Sequence, residues 1–271
     1  MAAGRVRDEV ERPERSYELA AGVGEERLAR SARDILVTAV IGGVEVALGA
    51  VASMAVLGSA LDAWPGMGLY GALALAGLVF PIGFLFVVAG RSELFTENFL
   101  LPVAAVLEGR RRGSSLLRLY GLALLGNLAG CAGMAAMLQV PGAIGAPLHH
   151  GYVAYTAYKL AVPPLGVFVS AVLAGMTMTV MTWLLVAVRD VVGRVLVIWA
   201  AGFTIFATNF SHAIVGSAIL LAGFAGANRT LADVGLWLAV TTLGNVAGGV
   251  GLVALGRTVQ VRVKRRDRAA A

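Results

Sequence analysis

Charge is what this chain has least of. Asp, Glu, Lys and Arg make up 14% of its 271 residues and the mean hydropathy is +0.81, whereas soluble domains carry about a quarter of their residues charged. A water-soluble globule is excluded, and the composition is that of an integral membrane protein. Cysteine is nearly missing: Cys131 stands alone, so no intrachain disulfide forms and no cysteine-based metal site is expected. No apolar run opens the chain. Residues 1–33 are rich in Arg and Glu, which argues against a cleaved signal peptide. They read as a cytoplasmic arm able to form an amphipathic helix on the membrane surface.

Long apolar runs are abundant instead, at about residues 35–60, 68–107, 116–139, 165–188, 195–227 and 232–256. Six spans are expected, the second and fifth unusually long. Residues 68–107 would span about 60 Å as one straight helix, twice the hydrocarbon thickness. The polar run from Gly90 to Asn98 marks where it breaks. Freed backbone groups there survive only against protein or along a water-filled path. Of 22 Lys and Arg, 19 lie in the arm, the 108–118 and 189–194 connectors and the tail from Arg257; Lys159 and Arg229 lie in the opposite connectors, and Arg91 within the membrane. That partition predicts cytoplasmic termini. The net charge of +6 is then a topology and lipid-headgroup signal, with no nucleic-acid partner.

The chain repeats itself. Gly126-Asn127-Leu128-Ala129-Gly130 in the third run matches Gly244-Asn245-Val246-Ala247-Gly248 in the sixth, and Thr96-Glu97-Asn98-Phe99 in the second matches Thr208-Asn209-Phe210 in the fifth. Three spans per half invert the second half relative to the first, an arrangement typical of transporters with a midplane site. Asn127 and Asn245 either pack helices closely or bond backbone freed at the breaks.

Within the spans, His212 lies at the middle of the fifth run, where an ionisable group marks an ion or proton path more often than a packing role. Thr96 offers a hydroxyl at the matching depth, and Leu94 and Phe95 beside it give the composition of an apolar constriction. Glu93 and Glu97 are expected to bond free backbone N–H groups and helix ends. Glu45, mid-span in the first run, must be paired, protonated or wetted; Arg91 is its expected structural partner. His149 and His150 read as solvated residues of an external Pro/Gly-rich loop.

At these residues the chain resembles the formate/nitrite transporter family over about residues 35–256. The motifs are Glu93-Leu94-Phe95-Thr96, Ser211-His212-Ala213-Ile214 and the two Gly-Asn motifs. The resemblance implies an aquaporin-like, six-span protomer in a homopentamer of the bacterial inner membrane, passing formate, nitrite or a similar weak-acid anion with protons and needing no cofactor. By the same resemblance His212 and Thr96 would line the path, Leu94 and Phe95 the cytoplasmic slit, and Phe80, Phe84, Ile205 and Phe206 the periplasmic one. Asn98, Asn209, Asn127, Asn245, Glu93, Glu97, Glu45 and Arg91 are expected to be structural. The expected domains are an arm at 1–33, a channel body at 34–256 with repeats at about 34–139 and 165–256, and a basic tail at 257–271. Phe84 stands where better-known members carry a smaller aliphatic residue, and Ser211 where Glu or Asn is common. The competing transport reading, an aquaporin-like channel for a neutral solute, lacks its Asn-Pro-Ala pair, since Phe follows both Asn98 and Asn209. An intramembrane hydrolase would need a serine motif that Gly216-Ser217-Ala218 does not supply, so no enzyme is expected.

Overall fold

The computed structural model describes residues 12–270. Its regular elements are helices: α1 Pro13–Ala29, α2 Ala32–Ala63, α3 Gly68–Val79, α4 Pro81–Gly90, α5 Leu101–Leu107, α6 Gly113–Leu138, α7 Ala146–Lys159, α8 Pro164–Ala187, α9 Val191–Ala207, α10 Ala213–Gly223, α11 Leu231–Val246 and α12 Leu255–Ala270. A 3-10 turn at Phe95–Phe99 joins the break to α5, and a π-helical stretch, Ala247–Ala254, joins α11 to α12. Among the described residues, five helical stretches are long and apolar enough to cross a membrane: Ala32–Ala63, Pro65–Gly90, Gly113–Leu138, Pro164–Ala187 and Leu231–Asp267. The fifth apolar run of the sequence becomes two shorter helices, α9 and α10.

Local signals set the ends. Ser31 accepts from the Asp34 amide to start α2, Asp190 accepts from Gly193 to start α9, and Thr230 with Asp233 forms a reciprocal capping box on α11. Arg91 closes α4 at φ 57°. Close approach of α2 to α6, and of α8 to α11, depends on glycine. A Cβ on Gly43 would lie 2.9 Å from the Asn127 Cα, and one on Gly175 2.8 Å from the Asn245 Cα, distances that real side chains avoid.

Two expectations are corrected here. First, α1 packs on the protein through its small face: Ala20, Ala21, Gly24 and Tyr17 are buried against α5 and the tail, while residues 1–11 lie outside the described part. The Tyr17 hydroxyl bonds Thr258 at 2.9 Å, and burial pushes its phenol above its ordinary range. Second, His149 and His150 sit on a helix, α7, and His150 contacts Asp62 at 2.7 Å. The basic residues from Arg257 lie on α12, which continues the last apolar helix. Arg265 reaches Glu108, and Arg257 stacks over Trp183 at 4.8 Å.

Candidate functional site at the two helix breaks

The first break begins where α4 stops. Phe84, two turns from the end of α4, lies with its ring centroid 5.7 Å from that of His212. The helix runs on for six residues, about 9 Å at 1.5 Å per residue, before Arg91 turns it. The chain then doubles back, so that the Thr96 hydroxyl lies 2.8 Å from His212 Nε2. The second break, between Ala207 and Ala213, brings His212 to meet it. Thus the two polar residues singled out by sequence, 116 positions apart, touch.

Each break is held by one asparagine in the same way. Asn127 accepts from the Phe95 amide (2.9 Å) and donates to the carbonyls of Ala39 (2.7 Å) and Glu93 (2.8 Å). Asn245 accepts from the Ala213 amide (2.9 Å) and donates to the carbonyls of Ala171 and Ser211, both 2.8 Å. The Gly-Asn motifs therefore do both things open to them: they pack helices and satisfy backbone that the breaks release.

His212 also caps α10. Its Nδ1 accepts from the Val215 amide at 3.2 Å, which requires an unprotonated Nδ1. The neutral ring then carries its hydrogen on Nε2 and donates it to Thr96 Oγ1. This leaves the Thr96 O–H itself available as a donor.

Apolar layers lie on both sides. Phe80 meets Phe84 edge-on at 5.0 Å and stacks on Phe206 at 5.0 Å; Phe206 stacks in turn on Tyr155 at 6.0 Å. Ile205 is buried in the same cluster. Phe84 thus sits nearer the centre than Phe80 and Phe206. On the other side Leu94 is buried beside Phe95, whose ring contacts Phe99 at 5.1 Å and Tyr120 at 5.6 Å. A Cβ at Gly249, in the π-helical stretch, would fall 2.5 Å from the Phe99 ring, so that stretch makes room for this layer.

Charge is arranged differently at the two breaks. At the first, Glu93 pairs with Arg27 (3.3 Å) and Arg30 (2.5 Å), and Glu97 with Arg27 (3.6 Å). Asn98 bridges Glu93 (2.7 Å) and Arg27 (3.1 Å). These carboxylates were expected on backbone N–H groups; α1 lies over the break and delivers guanidinium groups instead. A cavity of about 750 Å³ reaches this network, bordered by Arg30, Arg91, Glu93, Glu97 and Arg194. The expected pair between Glu45 and Arg91 does not form among the described residues. Arg91 is exposed where it closes α4, and Glu45 lies against Gly90 with Oε2 buried and unbonded. At the second break Lys159, from α7, donates to the backbone and side-chain oxygens of Asn209 (2.9 Å to Oδ1) and lies 5.8 Å above the Tyr155 ring. Asn209 holds φ 58°. Lys159 is 2% exposed and pairs with no carboxylate among the described residues. Sequence reading counted it only as an external charge. Its signal was its place on one face of α7 with Tyr152 and Tyr155.

A family model described as formate/nitrite transporter matches residues 14–259. The chain belongs to the formate/nitrite transporter family. Curated relatives in this family include the inner membrane protein YfdC of Escherichia coli K12, 26% identical over 88% of this chain and 76% of its own. Another is the formate channel BtFdhC of Bacillus thuringiensis, 24% identical over 89% and 92% respectively. Among solved structures, a chain titled FNT family ion channel superposes with TM-score 0.79 at 21% identity, covering 90% of this chain and 98% of the other. A pentameric formate channel with formate bound gives 0.66, also at 21% identity, over 84% and 96%. The fold is therefore that of the formate/nitrite transporter channels, and the two breaks are the feature that sets it apart from a plain helix bundle.

Proposed function

We propose that this protein is a membrane channel for small monovalent anions of weak acids, such as formate or nitrite, with its path between the two breaks. The bond between Thr96 and His212 carries the reading: a polar pair with almost no solvent exposure, between two apolar layers, is a place where a small polar solute can be held but a bare ion cannot rest. Crossing the Phe80/Phe206 and Leu94/Phe95 layers as an ion would cost several kcal/mol in desolvation. Crossing as the neutral acid avoids that cost. Lys159, a cation that meets no carboxylate among the described residues, attracts an anion to the outer approach, and Thr96 can donate its hydroxyl to one at the centre. Because His212 Nδ1 is engaged as the cap of α10, the proton comes more readily from water at the mouth than from the ring.

Two inverted three-span repeats, with a broken second and fifth span, account for the paired asparagine geometry. The basic partition supports cytoplasmic termini in a bacterial inner membrane; five protomers follow the pentameric solved relative, and a separate path in each follows the family resemblance. The body at 34–256 carries the path, flanked by the arm and the basic tail. Purified protein in liposomes, assayed for formate, nitrite and chloride flux at pH 5 and pH 7, tests the function. Formate or nitrite flux that rises at pH 5, with chloride excluded, is expected. Flux of neither weak acid at either pH would overturn it.

A further inference from the structure

We infer that Glu97 is a proton-exchange group of the cavity beneath α1, keeping the proton that an arriving weak acid gives up and handing it to the next anion that leaves; this rests on the channel reading above. The first support is a shortage of positive charge. Arg30 meets Glu93 at 2.5 Å and Asp34 at 2.6 Å, while Arg27 meets Glu93 at 3.3 Å and Glu97 at 3.6 Å, so two guanidinium groups serve three carboxylates. Asp34 is half-exposed and has water, and Asn98 adds a bond to Glu93 at 2.7 Å. Glu97 is held least: its Oε2 has the contact at 3.6 Å, and its Oε1 is buried without a partner. The residue is 6% exposed, and the field of a further carboxylate, Glu45 on α2, reaches it. A carboxylate so placed is costly as an ion unless it is fully paired. A proton on Glu97 closes the shortage.

The second support is access. Glu97 directly follows Thr96 on the 3-10 turn Phe95–Phe99 and borders the cavity of about 750 Å³, which is roomy enough for water. The other charges on that wall favour an anion. Arg91 at the end of α4 and Arg194 on α9 join Arg27 and Arg30, against Glu26 and Glu93; α8 offers Thr182, whose hydroxyl bonds its own helix. An anion is thus drawn in beside a group able to neutralise it. At pH 7 hydronium is at about 10⁻⁷ M, and even at a diffusional limit of about 10⁹–10¹⁰ M⁻¹s⁻¹ it protonates an anion only about 10²–10³ times per second. A proton held beside the path acts instead at the high effective concentration of an intramolecular reaction. As the acid arrives, its O–H bond breaks and, along cavity water, an O–H bond forms at Glu97 Oε1, leaving the anion. The reverse transfer restores the carboxylate and sends out a neutral acid.

Exchange of isotope-labelled formate or nitrite, at equal concentrations inside and outside liposomes, carries no net proton and isolates this step. Wild type, Glu97→Gln and Glu97→Ala are compared at pH 5 and pH 7, in dilute and in concentrated buffer, each checked for assembly by size-exclusion chromatography. Glutamine keeps the shape of the neutral carboxyl; alanine only enlarges the cavity and keeps the test open should the glutamine variant fail to assemble. Wild-type exchange at pH 7 should not depend on buffer concentration. In either variant it should fall at least tenfold in dilute buffer at pH 7 and recover in concentrated buffer, whose acid form replaces the lost donor. At pH 5, where hydronium is a hundredfold more abundant, the deficit should shrink to less than about twofold. A loss that is equal at both pH values and in both buffers marks a structural role and overturns the inference. So does an assembled variant that matches wild type at pH 7 in dilute buffer, or a wild type whose exchange at pH 7 climbs with buffer concentration. Wild-type protein that exchanges neither anion at either pH overturns the channel reading itself.

Discussion

Replacing Asn245 with leucine tests the structural core of the site most directly, because the side chain makes three hydrogen bonds and the replacement makes none. It would strand the Ala213 N–H and the carbonyls of Ala171 and Ser211, all now bonded at 2.8 to 2.9 Å. Asn245 is fully buried, so water cannot take its place without a rearrangement. Leaving a buried polar group unsatisfied costs about 1–3 kcal/mol. Three such groups, with the carbonyls partly relieved by small shifts, give about 3–5 kcal/mol, a large share of a total stability of about 5–15 kcal/mol. At about 2–4 °C per kcal/mol for a chain of this size, the melting temperature in detergent should fall by at least about 6 °C. Asn127→Leu should fall by a similar amount, since its bonds to Phe95, Ala39 and Glu93 have the same pattern. Asn245→Asp should not rescue, because a carboxylate would accept from Ala213 but face two carbonyl oxygens. A melting temperature within about 2 °C of wild type for both leucine variants would show that the backbone at the breaks finds other partners, and the account of the paired asparagines would fall.

Three further outcomes are expected. His212→Phe removes the centre's ring donor and the α10 cap, and should change formate or nitrite flux by more than tenfold, about 1.4 kcal/mol or more in barrier height; an assembled variant whose flux matches wild type at both pH 5 and pH 7 would make His212 a packing residue. Lys159→Met should leave assembly intact but cut anion flux at low substrate concentration severalfold, with less effect near saturation; an unchanged concentration dependence would remove Lys159 from the approach. Arg27→Ala combined with Arg30→Ala strands the buried Glu93 and should destabilise by about 3 kcal/mol, whereas adding Glu93→Gln should restore most of the loss; a melting curve that ignores the added glutamine would refute the coupling.

Polar residues inside apolar runs were legible because the bilayer makes them expensive. Thr96, His212, Asn127 and Asn245 stood out for that reason, and the structure brings each to one of the two breaks. Partners brought from distant segments were not legible. Arg27 and Arg30 are 66 and 63 positions from Glu93, in an arm whose composition suits a surface helix equally well; only the small buried face of α1 decides between the two. Lys159 was missed because a Pro/Gly-flanked connector reads as a loop, in which the helical spacing of Tyr152, Tyr155 and Lys159 goes unread. For Glu45 the cation that the sequence placed inside the membrane was Arg91, but the left-handed turn at Arg91 carries that residue to an exposed position. Proximity in depth along two spans does not fix which way a helix end points.

The two breaks are alike in their asparagines and unlike in their charges, and the difference bears on how an anion is handled. Glu93 and Glu97 at the first break take up the charge of Arg27 and Arg30, so that network contributes little net field while tying α1 to the loop that carries Thr96. At the second break, among the described residues, the charge of Lys159 meets the oxygens of Asn209 and the Tyr155 ring, which orient it without neutralising it. A buried charge left in that state is costly, and its cost falls when an anion approaches. In the proposed channel, the attractive field then lies at the break that supplies His212 and the mechanical anchorage at the break that supplies Thr96. If that division holds, altering Lys159 changes how readily an anion arrives, and altering Arg27 and Arg30 changes how firmly the central pair is held.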